Sequence, residues 1–244
     1  MLDNLKRGEC VLDDRELLDT HARALFRHDG RSRLLTVNEP GGVGAPAARL
    51  LLCRARTRNL WRFRADLPEA LVEKLEALCA DEPTGAEFGG APLHADEYAR
   101  LLETHAPVRE SEAGPAYYFN EYAEPSGQLL TVTESNAELL RGGFEDFVDE
   151  LPTWQPFVAL VEGGRAVSVC RSARITSAAH EAGVETLPEF RGRGYAKDVT
   201  ARWARLVRSA GALPLYSTSW ENTSSQAVAG KLGLTMYAAD FHIT

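Results

Sequence analysis

"EFRGRGYAKD", residues 189–198, decides how the chain is read. Two glycines and two arginines run directly into a segment of helical periodicity. The first N–H groups of a helix have no partner inside it, and that end of the helix dipole is positive. Gly192 and Gly194 let the main chain approach a ligand closely, and Arg191 and Arg193 add positive charge. The stretch therefore reads as an anion-receiving turn at a helix start.

The flanking sequence gives that turn a frame. "PFVALVEGGRAVSVCR" (156–171) reads as two apolar strands joined at Gly163–Gly164, because a two-residue turn needs the positive φ values that glycine supplies. "HEAGVETL" (180–187) is a further strand ending at Pro188. After the turn, Ala196, Val199, Trp203, Leu206 and Ala210 form one stripe, with Lys197, Arg202, Arg205 and Arg208 facing away. "LPLYSTS" (213–219) reads as a strand, and 222–233 as a helix capped by Asn222 and stopped by Gly233. Residues 234–243 close the chain as a strand. "AYYF" and "QLLTVT" are short strand candidates, followed by two short helices within 135–151.

The first half is less regular. "LDDRELLDTHARALF" (12–26) is a helix with Asp13 and Glu16 in a capping-box pattern. Residues 33–37 read as a strand and 39–46 as a Gly/Pro loop. Residues 49–67 form a strand pair in which Trp61 and Phe63 alternate with Arg62 and Arg64. Two helices follow, one opening near Pro68 and one holding Tyr98, Leu101 and Leu102. The polar, Pro-bracketed run 106–115 is the candidate domain boundary.

Composition bounds the function. A 244-residue chain, 44% apolar, can bury a sizeable core. The net charge of −8 argues against a general nucleic-acid binder. Cys10, Cys53, Cys79 and Cys170 form no C-x-x-C pair, and the histidines have no ligand spacing, so neither a disulfide framework nor a metal site is expected. No signal-like or membrane-length apolar run occurs, so a soluble, cytoplasmic protein is expected.

Phosphate-binding signatures can be tested against the turn. The P-loop pattern is absent. A dinucleotide fingerprint needs G-x-G-x-x-G after the first strand of a βαβ unit, whereas the third glycine position here is Lys197 and a hairpin precedes the motif. Residues 191–196 instead obey [QR]-x-x-G-x-[GA]. Asn222, Ser225, Lys231, Gly233 and Leu234 follow in the pattern N-x-x-[SA]…K-x-G-[FL]. With these two motifs in order, residues 116–244 resemble the GNAT superfamily of N-acetyltransferases.

The resemblance implies an α/β (α+β) fold with a mixed, largely antiparallel central sheet flanked by helices; residues 1–115, which it does not cover, read as an N-terminal α+β subdomain. It implies an acetyl-CoA-dependent N-acetyltransferase acting on a small-molecule or peptide amine. The main chain of Gly192, Gly194, Tyr195 and Ala196, with Arg191 and Arg193, would hold the coenzyme diphosphate. Val184, Thr186 and Leu187 would lie along the pantetheine arm, with Asn222 and Ser225 near it. The implied partners are acetyl-CoA and an amine, with no nucleic acid, no membrane and no metal; homodimers are common in the family.

A base must take the ammonium proton. Glu181 and Glu185 lie on the strand before the turn, where family bases often occur, and Glu181 is preferred. The family tyrosine seven residues after the Asn, which meets the thiolate, is replaced by Ala229. Tyr237 or Tyr216 could substitute, or the thiolate could leave unassisted. The substitution opens a second function, a non-catalytic acyl-CoA sensor. A third is a nucleotide-binding oxidoreductase, motivated by Gly192-x-Gly194. His180, beside Glu181, is a further proton-transfer candidate. Arg54, Arg56, Arg58, Arg62 and Arg64 form the densest basic patch, read as solvated or as an attractor of anionic ligands.

Overall fold

The computed structural model describes residues 13–85, 89–120 and 124–244. Cys10 and the N-terminal stretch read above lie outside these residues. Helix α1 spans Asp14–Leu25, and the Asp13 carboxylate accepts a hydrogen bond from the Glu16 N–H at 2.8 Å. Such a cap contributes about 1 kcal/mol. The chain turns straight from α1 into β1 (Phe26–His28), which pairs antiparallel with β2 (Leu34–Val37). β1 is too short to show a period, and it had read as the end of the helix.

β3 (Leu50–Ala55) and β4 (Asn59–Phe63) form the expected strand pair, followed by α2 (Glu69–Asp81) and α3 (Ala95–Glu103). β5 is Ser111–Tyr118 and β6 is Leu129–Thr131. The segments expected as short α-helices are 3-10 turns at Glu134–Leu140 and Glu145–Phe147. Then come β7 (Phe157–Glu162), β8 (Arg165–Ile175), β9 (Ala179–Thr186), α4 (Tyr195–Ser209), β10 (Leu213–Ser217), α5 (Thr223–Lys231) and β11 (Thr235–Ile243). Gly163 and Gly164 carry φ of 58° and 82°, as the β7–β8 turn requires.

Nine strands make one sheet in the order β4-β3-β11-β5-β10-β9-β8-β7-β6. Every pairing is antiparallel except β9 with β10. The sheet is therefore the mixed, largely antiparallel one expected. It also runs across position 115, which lies inside β5. That strand sits between β10 and β11, and β3 and β4 extend the same sheet beyond β11.

Alternation along the strands assigns the two faces. Leu51, Cys53, Ala179, Leu213, Leu215 and Ala238 pack with Leu17, Leu18 and Ala22 of α1. On the other face, Val158, Leu160, Tyr216 and Ala182 pack with Val199, Trp203 and Val207 of α4, and Leu50, Leu52 and Phe241 pack with α2 and α3. Trp203 is fully buried and donates through Nε1 to the Ser172 hydroxyl at 3.0 Å.

The strand order sets up the site. β9 pairs with β10 only over Ala179–Glu181 and Leu213–Leu215. Beyond that, β9 stays with β8 as far as Thr186, while β10 stays with β5 as far as Ser217. The two strands part, and a gap opens between them. In β5, Gly114 is indispensable: a Cβ there would stand 1.7 Å from the Thr218 carbonyl oxygen.

Candidate functional site

The turn at 191–194 lies at the mouth of that gap. Gly192 and Gly194 have φ of 78° and 89°, and Gly194 is the N-cap of α4. A Cβ at either position would meet nothing within 4 Å, so the space above the turn is open. Among the described residues, none accepts a hydrogen bond from the N–H groups of residues 192–196. Five consecutive donors at a helix N-terminus form an anion-receiving cradle.

A cleft of about 840 Å³ runs from this cradle between β9 and β10 and under the N-terminus of α5. Val184, Thr186, Leu187, Arg191, Gly192, Gly194, Tyr195, Ala196, Asn222 and Ser225 line it, as do Lys197 and Lys231. Arg193 is the exception. It stacks over the Phe190 ring at 4.9 Å, lies 3.8 Å from Glu162 and donates to the Glu189 carbonyl. The Asn222 side chain caps α5 by accepting from the Ser225 N–H at 3.0 Å. Gly143 and Phe144 also line the cleft, from a distant part of the sequence that carries no motif.

The candidate carboxylates part company. Glu185 is exposed at the cleft rim and paired with Arg171 at 3.1 Å. Glu181 is only 4% exposed, does not line the cleft, and has Ser217 and His21 as its polar neighbours. Burial raises its pKa, against the pull of His21.

His21 was not singled out by the sequence. It lies on α1, fully buried, with Nδ1 3.8 Å from Glu181 and Nε2 2.6 Å from Asp240. Burial alone would lower its pKa, but the Asp240 carboxylate outweighs that and raises it. Conversely, Asp240 is held low: burial works against its charge, and His21 more than compensates. The Tyr237 ring meets the imidazole edge-on at 5.7 Å between centroids. A histidine on the apolar stripe of a helix reads as core until β9 and β11 bring two acids against it.

Cys53 lies in the same group; its sulfur and the nearest His21 and Asp240 atoms fall within 4.8 Å of one another. The 2.6 Å His21–Asp240 spacing is that of a shared proton, shorter than two ligands spanning an ion. His180, the other candidate for proton transfer, bonds Ser172 through Nδ1 at 2.9 Å on the α4 side of the sheet. Tyr216 lines the cleft, its hydroxyl 2.6 Å from Ser225 Oγ, and burial pushes its pKa up to about 12. Tyr237 does not line the cleft.

Three arginines of the basic patch are engaged separately, while Arg56 and Arg58 are exposed. Arg54 is buried and donates to the Gly90 carbonyl, Arg62 pairs with Asp19 at 2.8 Å, and Arg64 pairs with Asp66 at 2.7 Å. Among the described residues no helix is long and apolar enough to cross a membrane.

A turn of open amides beside parted strands offers an anion-receiving site at one sheet edge. A family model described as GNAT acetyltransferase matches residues 142–239. No curated protein matches the sequence. Solved structures with similar folds include a GCN5-related N-acetyltransferase-like protein from Streptococcus suis, at 16% identity and a TM-score of 0.46, over 95% of this chain and 100% of that one. A GNAT-family acetyltransferase from Colwellia psychrerythraea is 12% identical, with a TM-score of 0.46 over 76% of each chain. A protein assigned to the GNAT family from Novosphingobium aromaticivorans is 16% identical, with a TM-score of 0.45. The match covers 56% of this chain and spans 65% of the Novosphingobium protein.

Proposed function

We propose that this protein transfers an acetyl group from acetyl-CoA to an amine. The observation that carries the reading is the cradle of five unpartnered N–H groups over Gly192 and Gly194, open to a diphosphate. Arg191, Lys197 and Lys231 supply matching charge along the cleft. The edge of β9 beyond Glu181 is released by β10, which leaves main-chain groups for the pantetheine amides, as an added strand would use them. The thioester then falls where the strands part.

In the reaction the acceptor ammonium loses a proton, its nitrogen forms a bond to the acyl carbon, and the C–S bond breaks to give a thiolate that takes up a proton. Glu181 is the base in this reading. It stands at the last paired position before the strands part, and burial makes it a better proton acceptor than an exposed carboxylate, against the pull of His21 and Ser217. Glu185 serves to hold Arg171. Tyr216 protonates the departing sulfur, since it is the cleft-lining tyrosine on β10, while Tyr237 packs against His21. Close placement of the two reactants supplies the rest of the acceleration.

A second reading, an acyl-CoA sensor without turnover, is favoured by Ala229, which is 1% exposed and offers no proton. Steady-state thiol release over a panel of amines separates the two. Release with any amine supports the transferase. Coenzyme binding without release for every acceptor supports the sensor.

A further inference from the structure

On the α1 side of the sheet lies a second cavity of about 380 Å³. Ser217 and Thr218 line both this cavity and the coenzyme cleft, so the two spaces meet at the end of β10. Three carboxylates line it: Glu110, Glu112 and Asp240. Its basic groups are already engaged. Arg174 makes two 3.1 Å contacts with the Glu39 carboxylate, and His242 stands 3.5 Å from Glu112. Asp240 is 6% exposed, and its Oδ1 has no hydrogen-bond partner, although Oδ2 is bound to His21. A buried carboxylate oxygen without a donor is costly unless a ligand supplies one. Leu25, Phe26 and Val37 provide an apolar wall between this inner carboxylate and Glu110 and Glu112, which are exposed at the rim.

We propose that this cavity holds the acceptor, and that the acceptor is a short aliphatic diamine or polyamine. One nitrogen lies at the inner end beside Asp240 and the end of β10. The methylene chain lies on Leu25, Phe26 and Val37. The second, cationic nitrogen is held at the rim by Glu110 and Glu112. The proposal rests on the acetyl-transfer reading and adds the substrate class. Most of the cavity comes from outside residues 142–239, so the family match does not carry it.

The test compares putrescine and spermidine with n-butylamine and with γ-aminobutyrate. Acetyl-dependent thiol release is measured, and thermal shift is measured without coenzyme. The expected result is a kcat/KM for the diamine at least about tenfold above that for n-butylamine, with γ-aminobutyrate poorest. Combined Glu110→Gln and Glu112→Gln should reduce the diamine-to-monoamine ratio about five- to tenfold. Equal rates for putrescine and n-butylamine, a preference for γ-aminobutyrate, or an unchanged ratio in the double variant would overturn the proposal. Diamine stabilisation in the absence of coenzyme is read independently of transfer. Failure of the acetyl-transfer reading would therefore show as diamine binding without thiol release.

Discussion

The two cavities that meet at Ser217 and Thr218 are built in different ways. The cleft beside the 191–194 turn draws most of its lining from one run of chain, residues 182–231, in the order strand, turn, helix, strand, helix. The cavity behind it is assembled from α1 and β1, the loop before β3, the start of β5, and the ends of β8, β10 and β11. Local chain geometry makes the first, since an anion cradle needs only a turn and a helix start. Long-range strand pairing makes the second. Substitutions in the two regions should therefore fail differently: the first in coenzyme affinity, the second in stability and acceptor choice.

The largest effect is expected at His21. Its removal leaves Asp240 and Glu181 buried without a counter-charge, and His21→Ala should cost about 3–5 kcal/mol in denaturant unfolding. Coenzyme affinity, measured in the fraction that stays folded, should be retained. A stability change under about 1 kcal/mol would show that the cluster is solvated rather than buried. Next comes the cradle. Gly192→Asp with Gly194→Asp puts two anions and two strained side chains where a diphosphate would sit, and should weaken acetyl-CoA binding by calorimetry about a hundredfold or more. The unfolding midpoint should move far less than it does for His21→Ala.

A smaller effect is expected from pH. Glu181 and His21 both hold a proton more tightly folded than unfolded, so each loses stability as pH rises. Asp240 acts at the other end, losing stability as pH falls below the ordinary carboxylate range. The Tm should be greatest between about pH 4 and 6 and decline towards pH 9. Glu181→Gln should make that decline shallower, and a slope identical to that of the parent would remove Glu181 from the account. Smallest of all is the surface: Arg62→Ala breaks a half-exposed pair with Asp19 and should change stability by less than about 1 kcal/mol, with coenzyme affinity unmoved.

The same contrast governs what the sequence could show. The hairpin glycines, the 191–196 turn, the stripe of α4 and the Asn222 cap are each written within a dozen neighbouring residues, and all of the expected coenzyme contacts but Arg193 line the cleft. Arg193 packs over Phe190 and lies near Glu162 instead, alternatives that motif spacing does not carry. His21 and Asp240 are 219 residues apart, and no periodicity links them. The boundary read at 106–115 follows polarity and prolines. The sheet runs through that stretch, because β5 pairs along its length with β11 and over Ala116–Tyr118 with β10. Arg54 and Arg62 read as part of one patch only while their partners, the Gly90 carbonyl and Asp19, stay unseen.

The placement of β11 between β3 and β5 has a consequence for how the molecule comes into being. Leu50–Ala55 has no permanent neighbour on that side until Ala238–Ile243 has been synthesised. During translation the early strands must wait, one apolar edge uncovered, for nearly the whole chain to follow. Such distant pairing slows folding and lengthens the time in which an open strand can capture the wrong partner. Refolding yield should therefore depend steeply on protein concentration.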